Sequence, residues 1–211
     1  MDYNSEDQQQ IRIRELHNCL FECWCALLQG KRLNHTLQIV LQLDAQIWEL
    51  GGTSAPSDNF AVIQRKRTFY TNLLRLESLY CVTSLLRARN ALINSLKYAP
   101  ELEGIIAQLR ENKNWENIKV VRDILTHVDE YRNGHGRNPD DYTRTSDGIE
   151  ATLDSIVIMD GRLYLGADFE ILDAVSALSN EYHRIYATMQ QDCPPLIFEE
   201  FSPSALNRIK F

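Results

Sequence analysis

Residues 58–97 read DNFAVIQRKRTFYTNLLRLESLYCVTSLLRARNALINSLK, a stretch without a single glycine or proline. Phe60, Ile63, Arg67, Tyr70, Leu74, Glu77 and Cys81 recur at steps of three and four, the spacing of one helix face, and Leu73, Leu76, Tyr80 and Leu85 widen it. The stretch therefore predicts helix throughout. At about 1.5 Å per residue it is one rod of roughly 60 Å, or two helices joined by a subtle break. The whole chain has nine glycines and six prolines, clustered rather than spread, which favours long helices over a many-turned β fold.

Upstream, Ser5-Glu6-Asp7-Gln8 resembles a capping box, and Ile13, Leu16, Leu20 and Leu27 follow at helical spacing. Gly30 is expected to stop this first helix after Gln29. A second, from about Asn34, carries Leu37, Val40, Leu41, Ile47 and Trp48 and ends at Gly51-Gly52. Ala55-Pro56-Ser57-Asp58 reads as a loop and a new N-cap.

Downstream, Pro100 opens a short helix to about Asn112, and Asn114 is expected to cap the next, which runs to Asn133 before Gly134. Residues 134–147 (GHGRNPDDYTRTSD) are rich in Gly, Pro, Asp and Thr and read as loop. The period then changes. Ile156-Val157-Ile158-Met159, the dipeptide Asp160-Gly161 and Arg162-Leu163-Tyr164-Leu165 predict a β-hairpin over about 155–166. A last helix should begin at Asp168 and bury Phe169, Leu172, Val175, Leu178, Tyr182, Ile185 and Met189. From Cys193 a tail with the apolar run Leu196-Ile197-Phe198 is expected to strap the bundle or contact a partner. The expected fold is an all-α bundle of five to six helices with a small peripheral hairpin. It forms one domain over residues 1–192, with a tail at 193–211.

At 211 residues and a net charge of −7, the chain lacks the overall basic footprint that tight, non-specific nucleic-acid binding needs. Any chemistry on nucleic acid must use a local basic patch, a dimer cleft or a basic partner. Cys19, Cys23, Cys25, Cys81 and Cys193 are odd in number, and three share one apolar helical stretch, so they read as buried free thiols in a reducing cytoplasm. The N-terminus is acidic and Gln-rich rather than basic then apolar, and no apolar run reaches membrane-spanning length. No leader and no membrane contact are expected.

Phosphate-loop, GxSxG and HExxH motifs are missing, and no cofactor is expected. Asp123, His127, Glu130 and His135 could in principle be gathered round a metal by one helix, but open helix faces with acids are common and no bound metal is expected. The helix expected over 114–133 is different. Ile118, Val121, Leu125 and Val128 form one apolar stripe; Val120, Ile124 and Tyr131 form a second facet bordered by His127. One facet packs on the bundle, while the other is either a contact surface or also buried. Asp123 and His127 are four apart and hence neighbours, so the carboxylate can fix the imidazole tautomer and support its protonated form. Tyr131 lies four further on and can donate to the same ligand. Arg122 supplies a permanent cation suited to phosphate. Together these are a general acid/base and a cation, the groups that metal-free RNA cleavage requires. Arg122 and His127 lie about 140° apart on a regular helix. Joint action needs a long bent arginine, a distorted helix end or two protomers. Arg132, His135, Arg137 and Arg144 make a local basic cluster that could meet RNA beside the motif.

Arg122-Asp123-x-x-x-His127 resembles the R-[polar]-x-x-x-H signature of the HEPN superfamily, helical-bundle proteins many of which are ribonucleases. The resemblance covers six residues. It implies an up-and-down bundle that dimerises so that two motifs line one cleft. It also implies metal-independent cleavage through attack of the 2′-hydroxyl, and in some members a toxin or defence role with an antitoxin partner. Carried over, His127 is the general acid/base, Arg122 the phosphate ligand and Asp123 the orienting polar group. The alternative is a non-catalytic helical module that binds a protein partner through the His127 facet and the tail. In that case Arg122 pairs with a surface acid and His127 is an ordinary half-exposed helix residue.

Overall fold

Gly30 does not stop the first helix. In the computed structural model, which describes residues 3–51, 58–190 and 199–211, a single helix α1 runs over Tyr3–Gly51 and passes through it. The reason lies across the bundle. A Cβ on Gly30 would sit 2.4 Å from Cγ1 of Val175, so the α1 backbone is approached directly by another helix and only glycine fits. Leu20, Leu33, Leu37 and Val40 are buried on either side. Their packing outweighs the roughly 1 kcal/mol by which an interior glycine weakens a helix. The expected start at Ser5 falls two residues inside α1, while the loop at 55–57 and the apolar run at 196–198 lie outside the described residues.

The long helical stretch is one helix, α2, over Asp58–Ser95. It runs antiparallel to α1, and polar pairs mark the register. Arg67 Nε donates to Asp44 at 2.8 Å, Thr36 Oγ1 to the buried Glu77 at 2.7 Å, and Arg87 to Glu22 at 2.9 Å. Glu77 is tolerated in the interface because Arg32 also reaches it, at 3.2 Å. Cys19, Cys23 and Cys81 are free and buried.

A 3-10 turn over Pro100–Leu102 leads into α3 (Glu103–Glu111), and α4 (Lys113–Thr126) follows at once. The cap of α4 is Asn112, whose side chain accepts from Trp115 N at 2.8 Å. Asn114, the expected cap, instead receives the backbone N–H of Glu170 at 3.0 Å and donates to Asp173 at 2.8 Å. It ties α4 to the start of the last long helix. After α4 come α5 (Val128–Arg132) and then two small antiparallel sheets. Strands β1 (Thr143–Ser146) and β2 (Ile149–Thr152) pair across Asp147-Gly148, both with positive φ. This hairpin occupies the end of what the sequence presents as loop. Strands β3 (Ile156–Met159) and β4 (Arg162–Leu165) form the expected hairpin across Asp160-Gly161, and β5 (Phe169–Glu170) adds a third strand.

The last long helix, α6, spans Ile171–Gln190 rather than starting at Asp168, since Phe169 and Glu170 are taken by the sheet. Its buried Ile171, Leu178, Ile185 and Met189 close the core against α1, α2 and α4. Each fully buried side chain of this size contributes about 1.5–3 kcal/mol. A short α7 (Pro203–Arg208) lies on α1. Phe201 sits among His17, Phe21 and Trp24, Lys31 donates to Leu206 O at 2.7 Å, and Tyr182 donates to Phe201 O at 2.7 Å. The result is a mostly helical bundle with small sheets near the C-terminus. It has seven α-helices among the described residues, none long and apolar enough to cross a membrane.

Candidate functional site

The helix that carries the motif is broken at its histidine. α4 ends at Thr126, α5 starts at Val128, and His127 between them has φ −115° and ψ 32°, outside the helical region. Two local causes are visible. Thr126 Oγ1 donates back to Arg122 O at 2.8 Å, the type of side-chain bond that bends a helix. Beyond the break, Tyr131 is drawn into the core. Its ring lies 6.1 Å from that of Tyr142 and so close under Gly136 that a Cβ there would lie 2.4 Å from it.

His127 is exposed, and its Nδ1 lies 3.2 Å from Oε1 of Glu130, also exposed. The expected carboxylate partner, Asp123, does not take this place, because the break turns the imidazole towards the residue three ahead of it instead of four behind. An exposed pair of this kind is worth about 0–1 kcal/mol, so it orients the ring without adding much stability. Arg122 and Asp123 are half-buried and make no side-chain hydrogen bond or ion pair among the described residues. The structure thus brings His127 together with Glu130 and leaves an uncommitted guanidinium one turn back along α4. Tyr131 is buried, away from the surface that His127 occupies.

The four expected basic residues divide. Arg132 donates to Tyr142 Oη at 3.3 Å and to Asp154, while Tyr142 donates to Asp154 at 2.7 Å and Arg75 of α2 stands 3.7 Å away. Burial raises the Asp154 carboxyl pKa, but the hydrogen bonds from Tyr142, Thr152 and Arg132 outweigh it and hold it below the usual range. Arg144 is largely buried and pairs with Asp168 at 3.1 Å, where Lys113 also arrives at 3.2 Å. These two arginines fasten the segment after α5 to the bundle. His135 and Arg137 remain exposed on the loop after α5, where the His135 N–H donates to Glu130 O at 2.8 Å.

The two apolar facets are also redistributed. Ile118, Val121, Ile124 and Tyr131 enter the core, whereas Leu125 and Val128, expected there, line a groove of about 150 Å³ with Leu76, Leu79 and Leu165. Ile118, Val121 and Ile124 are buried along the unbroken α4, so residues of both facets already share its core side, and Tyr131 joins them from beyond the break. Tyr142 and Asp154 are residues that sequence reasoning missed, and Glu130, considered there only as a possible metal ligand, is the partner of His127. Glu130 had a usable signal, an acid three positions after the histidine, whereas Asp154 is recognisable only once the chain has folded back. Among the described residues no group of three or more His, Cys, Asp or Glu side chains is placed to hold a metal ion. No protein-family model matches the chain, no curated protein matches it in sequence, and no solved structure matches its fold.

Proposed function

We propose that the chain is a metal-independent endoribonuclease of the HEPN kind, with His127 as general acid/base and Arg122 as phosphate ligand. The observation that carries this reading is the helix break at His127. On an unbroken helix the imidazole and the guanidinium diverge by about 140°; at the break His127 has φ −115° and ψ 32°, so its side chain leaves the backbone in a direction that a regular helix does not impose. Glu130 holds Nδ1, so Nε2 is the nitrogen that exchanges a proton with substrate. Glu130 thereby takes the orienting part that the resemblance implies for Asp123.

In the reaction, a base removes the proton of the 2′-hydroxyl, the oxygen attacks the adjacent phosphorus, and the 5′-oxygen leaves with a proton from an acid. The products are a 2′,3′-cyclic phosphate and a 5′-hydroxyl. Arg122 stabilises the added negative charge on the phosphoryl oxygens. His135 and Arg137, exposed on the loop that follows α5, are the basic residues that can hold the flanking RNA backbone, since Arg132 and Arg144 already serve Asp154 and Asp168. A homodimer that sets two motifs across one cleft would supply one imidazole as base and the other as acid. A toxin or defence effector restrained by an antitoxin partner is the setting that this chemistry fits.

The test is cleavage of RNA by purified protein in EDTA, beside Arg122→Ala and His127→Ala variants of verified fold. Cleavage that leaves cyclic phosphate ends and falls by roughly 10²–10⁴-fold in both variants supports the assignment. Cleavage unchanged in both would refute it. A second reading, a non-catalytic partner-binding module, is favoured by the groove lined by Leu76, Leu79, Leu125, Val128 and Leu165. In that reading the described part of the tail adds little, because Phe201 and Leu206 are already buried on the bundle.

A further inference from the structure

We propose that the outward face of α2 is a docking surface for an acidic amphipathic helix of a partner protein. Val62, Phe69 and Leu76 are spaced seven apart and are 49%, 62% and 54% exposed; Tyr80, one turn on, is 60% exposed. With the half-buried Leu73 they fall within about 60° of arc at 100° per residue, and the stripe is roughly 27 Å long. Seven-residue recurrence with intervening steps of four and three is the seam of a helix pair, here without its second helix. Exposed apolar side chains lined up along one helix face, rather than scattered singly, mark an interaction surface.

Charge specifies the occupant. Although the chain carries −7, α2 has six basic residues and two acids. Between Asn59 and Ser95 the only carboxylate is Glu77, which is buried against Arg32 and Thr36. The solvent-facing shoulders of the stripe therefore present cations only. Arg65 and Lys66 flank it on either side and make no ion pair among the described residues. A second copy laid face to face would set cations against cations with no acid to answer them. An RNA strand could stack on Phe69 and Tyr80 but would gain nothing from Val62, Leu73 and Leu76 at helical spacing. An acidic helix with apolar residues at heptad spacing answers both the stripe and its shoulders.

This inference does not rest on the ribonuclease reading, and its test leaves that reading untouched. The probe is a labelled three-heptad peptide with Leu at the two apolar heptad positions and Glu at the flanking ones, compared with its Lys-flanked counterpart by fluorescence anisotropy. The Glu peptide should bind at least tenfold tighter. Arg65→Glu with Lys66→Glu should abolish or reverse that preference, and Phe69→Ser with Leu76→Ser should remove binding of both peptides. All four side chains point to solvent, and unchanged circular dichroism confirms that the fold persists. Three results overturn the proposal. The first is no binding of the Glu peptide at about 100 µM, or equal binding of the two peptides. The second is displacement of the Glu peptide by oligouridine, which assigns the face to RNA. The third is a sedimenting dimer that Phe69→Ser with Leu76→Ser dissolves, which assigns it to a second copy.

Discussion

Replacing Gly30 by alanine should destabilise the protein, although the same change in an ordinary helix interior stabilises it. Helix propensity alone favours alanine by about 1 kcal/mol. Against that stands Val175, whose Cγ1, Cγ2 and Cβ would lie 2.4, 2.9 and 3.2 Å from the new methyl. Rotating Val175 about χ1 cannot relieve the contact, because its Cβ is itself too near. α6 must move off α1 or distort, and overpacking of this kind costs about 1–3 kcal/mol. A clash with three atoms belongs at the upper end, so the expected net loss is about 2 kcal/mol. For a chain of this length that lowers Tm by roughly 4–8 °C. Thermal unfolding followed by circular dichroism measures it, and a double-mutant cycle supplies the cause. With Val175→Ala in the background the two closest contacts, to Cγ1 and Cγ2, are gone and only the 3.2 Å approach of Cβ remains, so Gly30→Ala should become nearly neutral, giving a coupling of about 2 kcal/mol. A Gly30→Ala protein at least as stable as the parent, or effects that simply add, would refute the packing argument for this glycine.

Two other perturbations follow from the geometry. Asp154→Asn removes the charge that Arg132, Tyr142 and Arg75 converge on and should cost about 1–2 kcal/mol at neutral pH. Because the folded carboxyl titrates below its unfolded value of about 3.9, its stabilisation is complete above that pH and is lost as pH falls through the folded pKa. Tm measured from pH 7 to pH 2.5 should show parent and variant converging in acid, and a constant gap would count against the linkage. Thiol alkylation of the native protein at pH 8 should modify Cys25 first among the described cysteines. Burial pushes the Cys81 thiol well up, and Cys23 is raised by its bond with Cys19 and by burial, whereas Cys25 is only partly covered. Peptide mass spectrometry showing Cys81 alkylated before Cys25 would contradict this.

The parts of the fold that the sequence made legible are those whose cause is local. Helix over 58–95 needs only its apolar spacing and the lack of breakers, although that spacing does not decide between one helix and two, and the β3–β4 hairpin needs only Asp160-Gly161 between two apolar runs. Where the cause is remote, local reading misleads. Gly30 has the same appearance in sequence whether it ends a helix or admits Val175, and the choice is made 145 residues further along the chain. Asp147-Gly148 repeats the turn dipeptide of the second hairpin with the same pair of positive φ angles. Its flanks, TRTS and IEAT, are too polar to announce strands, and pairing rests on the backbone ladder and on Arg144 reaching Asp168.

The same division runs through the motif itself. Its residue types are legible because chemistry selects them: an imidazole, a cation and acids within one or two helical turns. Its geometry is not, because the break at His127 depends on what captures the chain beyond it. Tyr131 can leave the helical line only because Gly136 allows its ring to pack and Tyr142 covers it, and Arg132 is then held by Asp154, which also meets Arg75 of α2. A regular helix through residue 133 would have kept Asp123 beside His127 and carried Tyr131 along the same face. The contacts that prevent this come from 136, 142 and 154, positions that a reading of the Arg122–His127 hexapeptide does not include. The orientation of His127 is thus set by the strength of the Asp154 clamp and the room left at Gly136, so the motif and the small sheets after it act as one unit.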